Sequence, residues 1–148
     1  MQYGNFQGAS AYANVGLATS VASASPLGLV ILLYDGAIQA ITNAKTRLAS
    51  GDIAGKAKNL VKAVDIVNKG LNASLDPVVG GKMAQDLKAL YDYMCRRLVL
   101  ANLNNDVPAM DEVKALLVQL RAAWLAISET SAAQGPLVQK QLPRSMSA

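Results

Sequence analysis

The side chains that could do covalent or acid–base work are few, and their spacing argues against each. Cys95 is the only thiol in 148 residues and histidine is absent, which removes the commonest general base and metal ligand and most nucleophile–base pairs and zinc sites. Cys95 lies in YDYMCRRL, a helical pattern in which a small half-buried side chain is a simpler reading than a nucleophile. The adjacent carboxylates Asp111 and Glu112 point in different directions on a helix and fit the dipole of a first turn better than paired acid–base chemistry. Gly80 and Gly81 precede Lys82 without the spacing of a phosphate loop. The expectation is therefore no enzyme, no cofactor and no metal.

What the elements must position instead is apolar surface. From Leu27 to Tyr34 the chain reads LGLVILLY, and no charged residue precedes Asp35. Leu27, Val30, Tyr34, Ala37, Ile41, Ala44 and Leu48 recur at alternating three- and four-residue steps, the seam of a packed helix. Leu29, Ile31, Leu32, Leu33 and Ile38 are left over. Ile31 and Ile38 can widen the core face, but Leu29, Leu33, Gly36 and Ala40 form a second stripe that must meet something.

Punctuation divides the rest. Ser25-Pro26 is a capping hydroxyl followed by a first-turn proline; Gly51 closes that helix and Asp52 caps the next. Asp76-Pro77 ends the second helix, residues 77–81 form a turn, and Asp106 with Pro108 starts the last helix. The later seams are Ile53, Ala57, Leu60, Val64, Val67, Leu71 and Leu75; then Met83, Leu87, Leu90, Met94 and Ala101; then Met110, Val113, Leu117, Leu120, Trp124 and Ile127. Helices over about 26–50, 52–75, 82–103 and 108–129, joined by short links, predict an all-α chain: an antiparallel up-down-up-down four-helix bundle in one domain of residues 1–131. Residues 1–24 carry no charge but hold spaced aromatic and aliphatic groups, which suits a lid lying over apolar surface. Residues 132–148 show no periodicity and read as a flexible tail.

The net charge of +4 is spread without a dense basic block, so no nucleic-acid partner is expected. The apolar run is too short to span a bilayer and no basic segment precedes it, so neither membrane insertion nor a secretory signal is expected. A lone thiol suits a cytoplasmic protein. Burying four side chains of the Leu, Ile or Val class against a partner contributes on the order of 6–12 kcal/mol gross, and ordering a disordered partner takes back roughly 2–5 kcal/mol. A groove beside Gly36 and Ala40 could accept a partner helix in this way. Two other readings stay open at this level: a first helix that is simply the most buried one, and a stripe that forms a homodimer.

Particular residues resemble a known family. Ala24-Ser25-Pro26-Leu27 with Leu32-Leu33-Tyr34-Asp35-Gly36-Ala37, and Leu90-Tyr91-Asp92-Tyr93-Met94 with Arg96-Arg97-Leu98 and Ala101-Asn102, resemble the flagellar secretion chaperones of the FliS family. Gly51-Asp52, Ser74-Leu75-Asp76, Gly80-Gly81, Asn105-Asp106, Glu112-Val113, Trp124 and the N-terminal Ala11-Tyr12 and Val15 fall in the same order, so the likeness covers roughly residues 9–127. The resemblance implies a cytoplasmic helical bundle that holds the disordered C-terminal segment of flagellin, prevents premature polymerisation and delivers it to the export gate protein FlhA. The anti-sigma factor FlgM is a further implied partner. It also implies that the N-terminal segment covers apolar surface until flagellin displaces it, with Tyr12 and Val15 in that lid and Tyr12 docking at the gate. The expected flagellin groove comprises Leu29, Leu33, Gly36, Ala40, Tyr34, Tyr91 and Leu116, although Tyr34 and Tyr91 also suit core positions. On this reading Leu33→Glu removes flagellin binding and leaves helix content intact. The rivals are a homo-oligomeric structural bundle without a flagellin client and an amphipathic membrane-surface protein.

Overall fold

The computed structural model describes residues 25–131, with side chains to residue 127. Among the described residues four α-helices succeed one another: α1 Pro26–Ala49, α2 Ile53–Asp65, α3 Pro77–Asn104 and α4 Val107–Ser131. The N-terminal lid and the tail over 132–148 lie outside the described residues.

Local chemistry sets the boundaries. The Ser25 hydroxyl accepts from the Gly28 amide at 3.0 Å, and the Asp52 carboxylate accepts from Gly55 at 2.8 Å. Gly51 closes α1 with φ 83, a conformation that costs glycine least. Asp106 accepts from the Ala109 amide at 3.1 Å at the start of α4.

Two elements differ from the sequence expectation. Residues 77–81 are not a simple turn: Asp76 caps the amides of Val78 and Val79, Pro77 takes a first-turn position, and a short helical stretch forms before Gly81 breaks the path at φ 55 and ψ −129. An Asp-Pro pair is a start signal as much as a stop signal. Beyond the break the buried seam of α3 runs through Ala84, Tyr91, Met94, Leu98 and Ala101, so Met83, expected in the seam, is exposed. The second helix does not continue uniformly to residue 75. It widens into a π-helical segment, Ile66–Leu71, and tightens into a 3₁₀ turn, Asn72–Ser74.

The core runs through all four helices: Val30, Tyr34, Ala37, Ile41 and Ala44 from α1, Leu60 and Ala63 from α2 with Val67 and Leu71 of its π segment, Tyr91, Met94 and Leu98 from α3, and Met110, Val113, Leu117 and Trp124 from α4. The helix α1 is long and apolar enough to cross a membrane, but its seam is buried beneath the other helices, as befits the central rod of a bundle. Polar staples tie the helices together. Asp35 pairs with Arg121, Lys45 with Asp111, and Arg97 with Glu112 at 2.7 Å. Asp111 and Glu112 therefore clamp neighbouring helices and do not serve the dipole of a first turn. Asp92 takes Lys88 at 3.1 Å and Asn72 at 2.9 Å.

Candidate functional site

The stripe singled out on α1 finds most of its partner within the same chain. A side chain added at Gly36 would stand 3.3 Å from Ile66 Cδ1, and one at Gly70 would stand 2.9 Å from Leu33 Cδ2. The π segment thus lies along Leu33 and Gly36, with Ile66 over one and Gly70 beneath the other. The small residues that could have admitted a foreign helix admit the second helix of this chain. Ala40 is buried at 2% exposure, so it is corrected from groove wall to core. Leu29, Leu33 and Gly36 remain half-buried. Leu116 is half-buried and packs against the core from α4.

Tyr34 and Tyr91 are likewise core groups, each 0% exposed, and offer no surface to a partner in this state. Their hydroxyls meet at 2.5 Å, and the Trp124 indole N–H donates to the Tyr34 oxygen at 3.0 Å. Three helices are thereby joined by one buried polar chain whose centre is Tyr34 Oη. Burial pushes the Tyr34 phenol up to about 12, against the smaller opposing effect of its two hydrogen bonds, and burial likewise raises Tyr91. The unfolded chain releases these protons near pH 10, so the folded state retains them longer. Stability is complete below pH 10 and declines as pH rises toward 12, by up to about 1.4 kcal/mol per pH unit for each tyrosine. Thermal unfolding followed between pH 9 and 12 should show this loss, and Tyr34→Phe should remove the Tyr34 share of it.

Lys56 is 2% exposed, unlike Lys58 and Lys62 beside it in the sequence. Its ammonium donates to the backbone and side-chain oxygens of Asn102, both at 2.7 Å, satisfying a carbonyl in the last turn of α3. The Cys95 thiol is pushed up to about 11, first by burial and then by Asp92, which suppresses the nucleophilic thiolate. Glu112 accepts from Arg97 Nε at 2.8 Å and from the Tyr93 hydroxyl at 2.5 Å; these bonds, Tyr93's first, hold its carboxyl below the usual range. Among the described residues no group of three or more His, Cys, Asp or Glu side chains could hold a metal ion.

Exposed apolar surface lies elsewhere than the α1 stripe. On α4, Val118 and Leu125 are 47% and 38% exposed, and Ala115 and Ala122 are exposed beside them. Positions 115, 118, 122 and 125 follow the three–four rhythm, so α4 carries a second seam on its outer side. On α1, Ile31, Leu32 and Ile38 are half-buried, and the Asp35–Arg121 pair lies where these two surfaces adjoin. Tyr12 and Val15 lie outside the described residues.

Comparison with known proteins places this sequence with one family. The model for the flagellar protein FliS matches residues 8–131. The flagellar secretion chaperone FliS of Salmonella typhimurium is 45% identical over 127 residues, covering 86% of this chain and 94% of that protein. That of Escherichia coli is 42% identical over 118 residues, 80% of this chain and 87% of its own length. The Bacillus subtilis chaperone is 36% identical over 105 residues, 71% and 77% respectively. Such proteins are chaperones and not enzymes, consistent with a chain whose polar side chains are spent on capping and stapling helices. This chain belongs to the FliS family of flagellar secretion chaperones.

Proposed function

We propose that the chain binds the disordered C-terminal segment of flagellin in the cytoplasm, keeps it from polymerising, and delivers it to the export gate protein FlhA, with FlgM as a further partner. The helices form an antiparallel up-down-up-down bundle in this reading. In support, Asp35 meets Arg121 and Lys45 meets Asp111, so ten residues forward on α1 correspond to ten residues backward on α4. The register brings Leu125 level with Ile31 and Val118 level with Ile38.

The observation that carries the proposal is this outer furrow between α1 and α4. Val118, Ala122 and Leu125 form one wall, with Ile31 and Leu32 opposite; Leu29 and Leu33, on the flank of α1 that meets the π segment, and Leu116, on the flank of α4 that carries Glu112, lie outside it. Its two-helix shape suits a client that folds into helical pieces as it binds. The N-terminal lid over residues 1–24, with Tyr12 and Val15, competes for the same surface and lowers apparent affinity by the fraction of time it is closed. Tyr12 then reaches the gate when flagellin has displaced it.

A calorimetric titration of the full chain with the C-terminal forty or so residues of flagellin tests the proposal. Micromolar or tighter binding, on the order of −8 kcal/mol or stronger, with the negative heat-capacity change of apolar burial, is the expected result. No binding by a folded sample, with light scattering showing an oligomer, would leave the rival homo-oligomeric structural bundle.

A further inference from the structure

The sides of α3 and α4 that face each other leave apolar groups partly uncovered. Glu112 meets Tyr93 and Arg97. Positions 83, 86, 90, 93 and 97 of α3 and 112, 116, 120, 123 and 127 of α4, each set at three- and four-residue steps, are therefore the opposed stripes. On them Leu90, Leu116, Leu120 and Ile127 are only half-buried and Ala123 is exposed, while Met83 is 58% exposed. Apart from the Arg97–Glu112 pair, these stripes carry one charged residue, Asp86, and it is held by Lys82 at 3.1 Å.

Only Asn105 and Asp106 separate the two helices, and so short a link returns α4 alongside α3 in the opposite direction. Glu112 is then level with position 95, Leu116 with position 91, and Ala123 with position 84, beside Met83. The furrow therefore opens at the end of the bundle where α4 stops, at Ser131. The family match stops at the same residue, and residues 132–148 follow it. From Ser131 back to the level of Leu116 is about 22 Å along the helix, which about seven extended residues cover. Gly135-Pro136, a chain-reversing pair, precedes Leu137, Val138, Leu142 and Met146. The stretch 137–148 is longer than that span requires.

We propose that residues 137–146 fold back from the end of α4 and lie in the α3–α4 furrow. Leu137, Val138 and Leu142 cover Met83, Leu90, Leu120 and Ile127, while Lys140 and Arg144 keep their charges in water on long stems. The point of departure selects this segment over the N-terminal one. Helix α4 is itself a wall of the furrow, whereas residues 1–24 lead into α1, which packs against α2 and α4 and borders the other furrow. A strap carried on the same chain needs little intrinsic affinity, because its tether keeps it at high effective concentration. Its seat is the flank of α4 away from Val118 and Leu125, so the α1–α4 surface stays open to a client and neither proposal requires the other.

Paramagnetic labelling of the full chain tests the seat. In a Cys95→Ser background, a nitroxide attached through Gln139→Cys should erase the amide signals of Met83, Leu90, Leu120 and Ile127. Those of Lys58 and Val61 on α2 should keep their full height, and reducing the label should restore the lost ones. Leu137→Ser, Val138→Ser and Leu142→Ser, introduced together into the labelled chain, should also restore them without changing helix content, since all three positions lie beyond α4. Undiminished signals, uniformly dimmed signals, or a loss that persists in the serine variant would overturn the proposal. Loss of the same signals from a nitroxide attached through Ser10→Cys, and not through Gln139→Cys, would give the furrow to the N-terminal segment. Loss carried from labelled to unlabelled molecules in a mixed sample would give it to a second copy. Either result removes the tail from the furrow.

Discussion

Tyr34→Phe is expected to destabilise the fold by about 2–5 kcal/mol, whereas Tyr91→Phe should cost about 1–2 kcal/mol. The two residues are of the same type and equally buried, so the difference rests on connectivity. Tyr34 Oη receives the Trp124 indole N–H and also meets the Tyr91 hydroxyl. Its removal takes a partner from both the Trp124 N–H and the Tyr91 hydroxyl, which keep only the contact they make with each other. Removing the Tyr91 hydroxyl leaves the Trp124–Tyr34 bond intact. Chemical denaturation of the two variants checks the order directly. Equal costs would mean that the three groups do not form a chain centred on Tyr34.

Leu33→Glu should also be severe, losing about 2–5 kcal/mol, a cost in the range of large-to-small core substitutions with the expense of confining a carboxylate added. Sequence reasoning expected this substitution to leave the helices untouched and remove only client binding. The structure alters the expectation, because Leu33 Cδ2 reaches within 2.9 Å of where a Gly70 side chain would begin. A glutamate there must either leave the contact or hold its charge between α1 and the π segment. A lowered thermal midpoint together with lower helix content supports that placement. An unchanged midpoint would return Leu33 to the free surface.

Most of the fold was legible because its signals are local. Ser25, Asp52 and Asp106 cap helices by reaching amides three residues ahead, and such chemistry is written in neighbouring letters. The π segment left only a faint trace: the seam of the second helix lengthens to four-residue steps at Val67, Leu71 and Leu75. Long-range choices left none. Nothing near Asp35 announces Arg121, 86 positions away, and Lys56 looks like its exposed neighbours until Asn102 is brought beside it.

The same limit explains the revised site. Periodicity identified a surplus apolar stripe on α1 correctly as a stripe, but could not say which neighbour covers it. Gly70 and Ile66 do so because α2 widens at that level. Val118 and Leu125, visible in the sequence only as residues off the main seam, stay exposed because the inner seam of α4 already fills the core.

The central claim is that apolar surface left open between α1 and α4 receives the client. Calorimetric titration of the flagellin C-terminal segment into the Val118→Glu, Leu125→Glu double variant tests it most directly, with circular dichroism establishing that the bundle is intact. Both side chains are partly solvated in the free chain, so folding should be nearly unaffected, while bound clients would have to bury two carboxylates. The account predicts that affinity falls by about a hundredfold or more, equivalent to about 2.7 kcal/mol. Wild-type affinity in a folded double variant would contradict it.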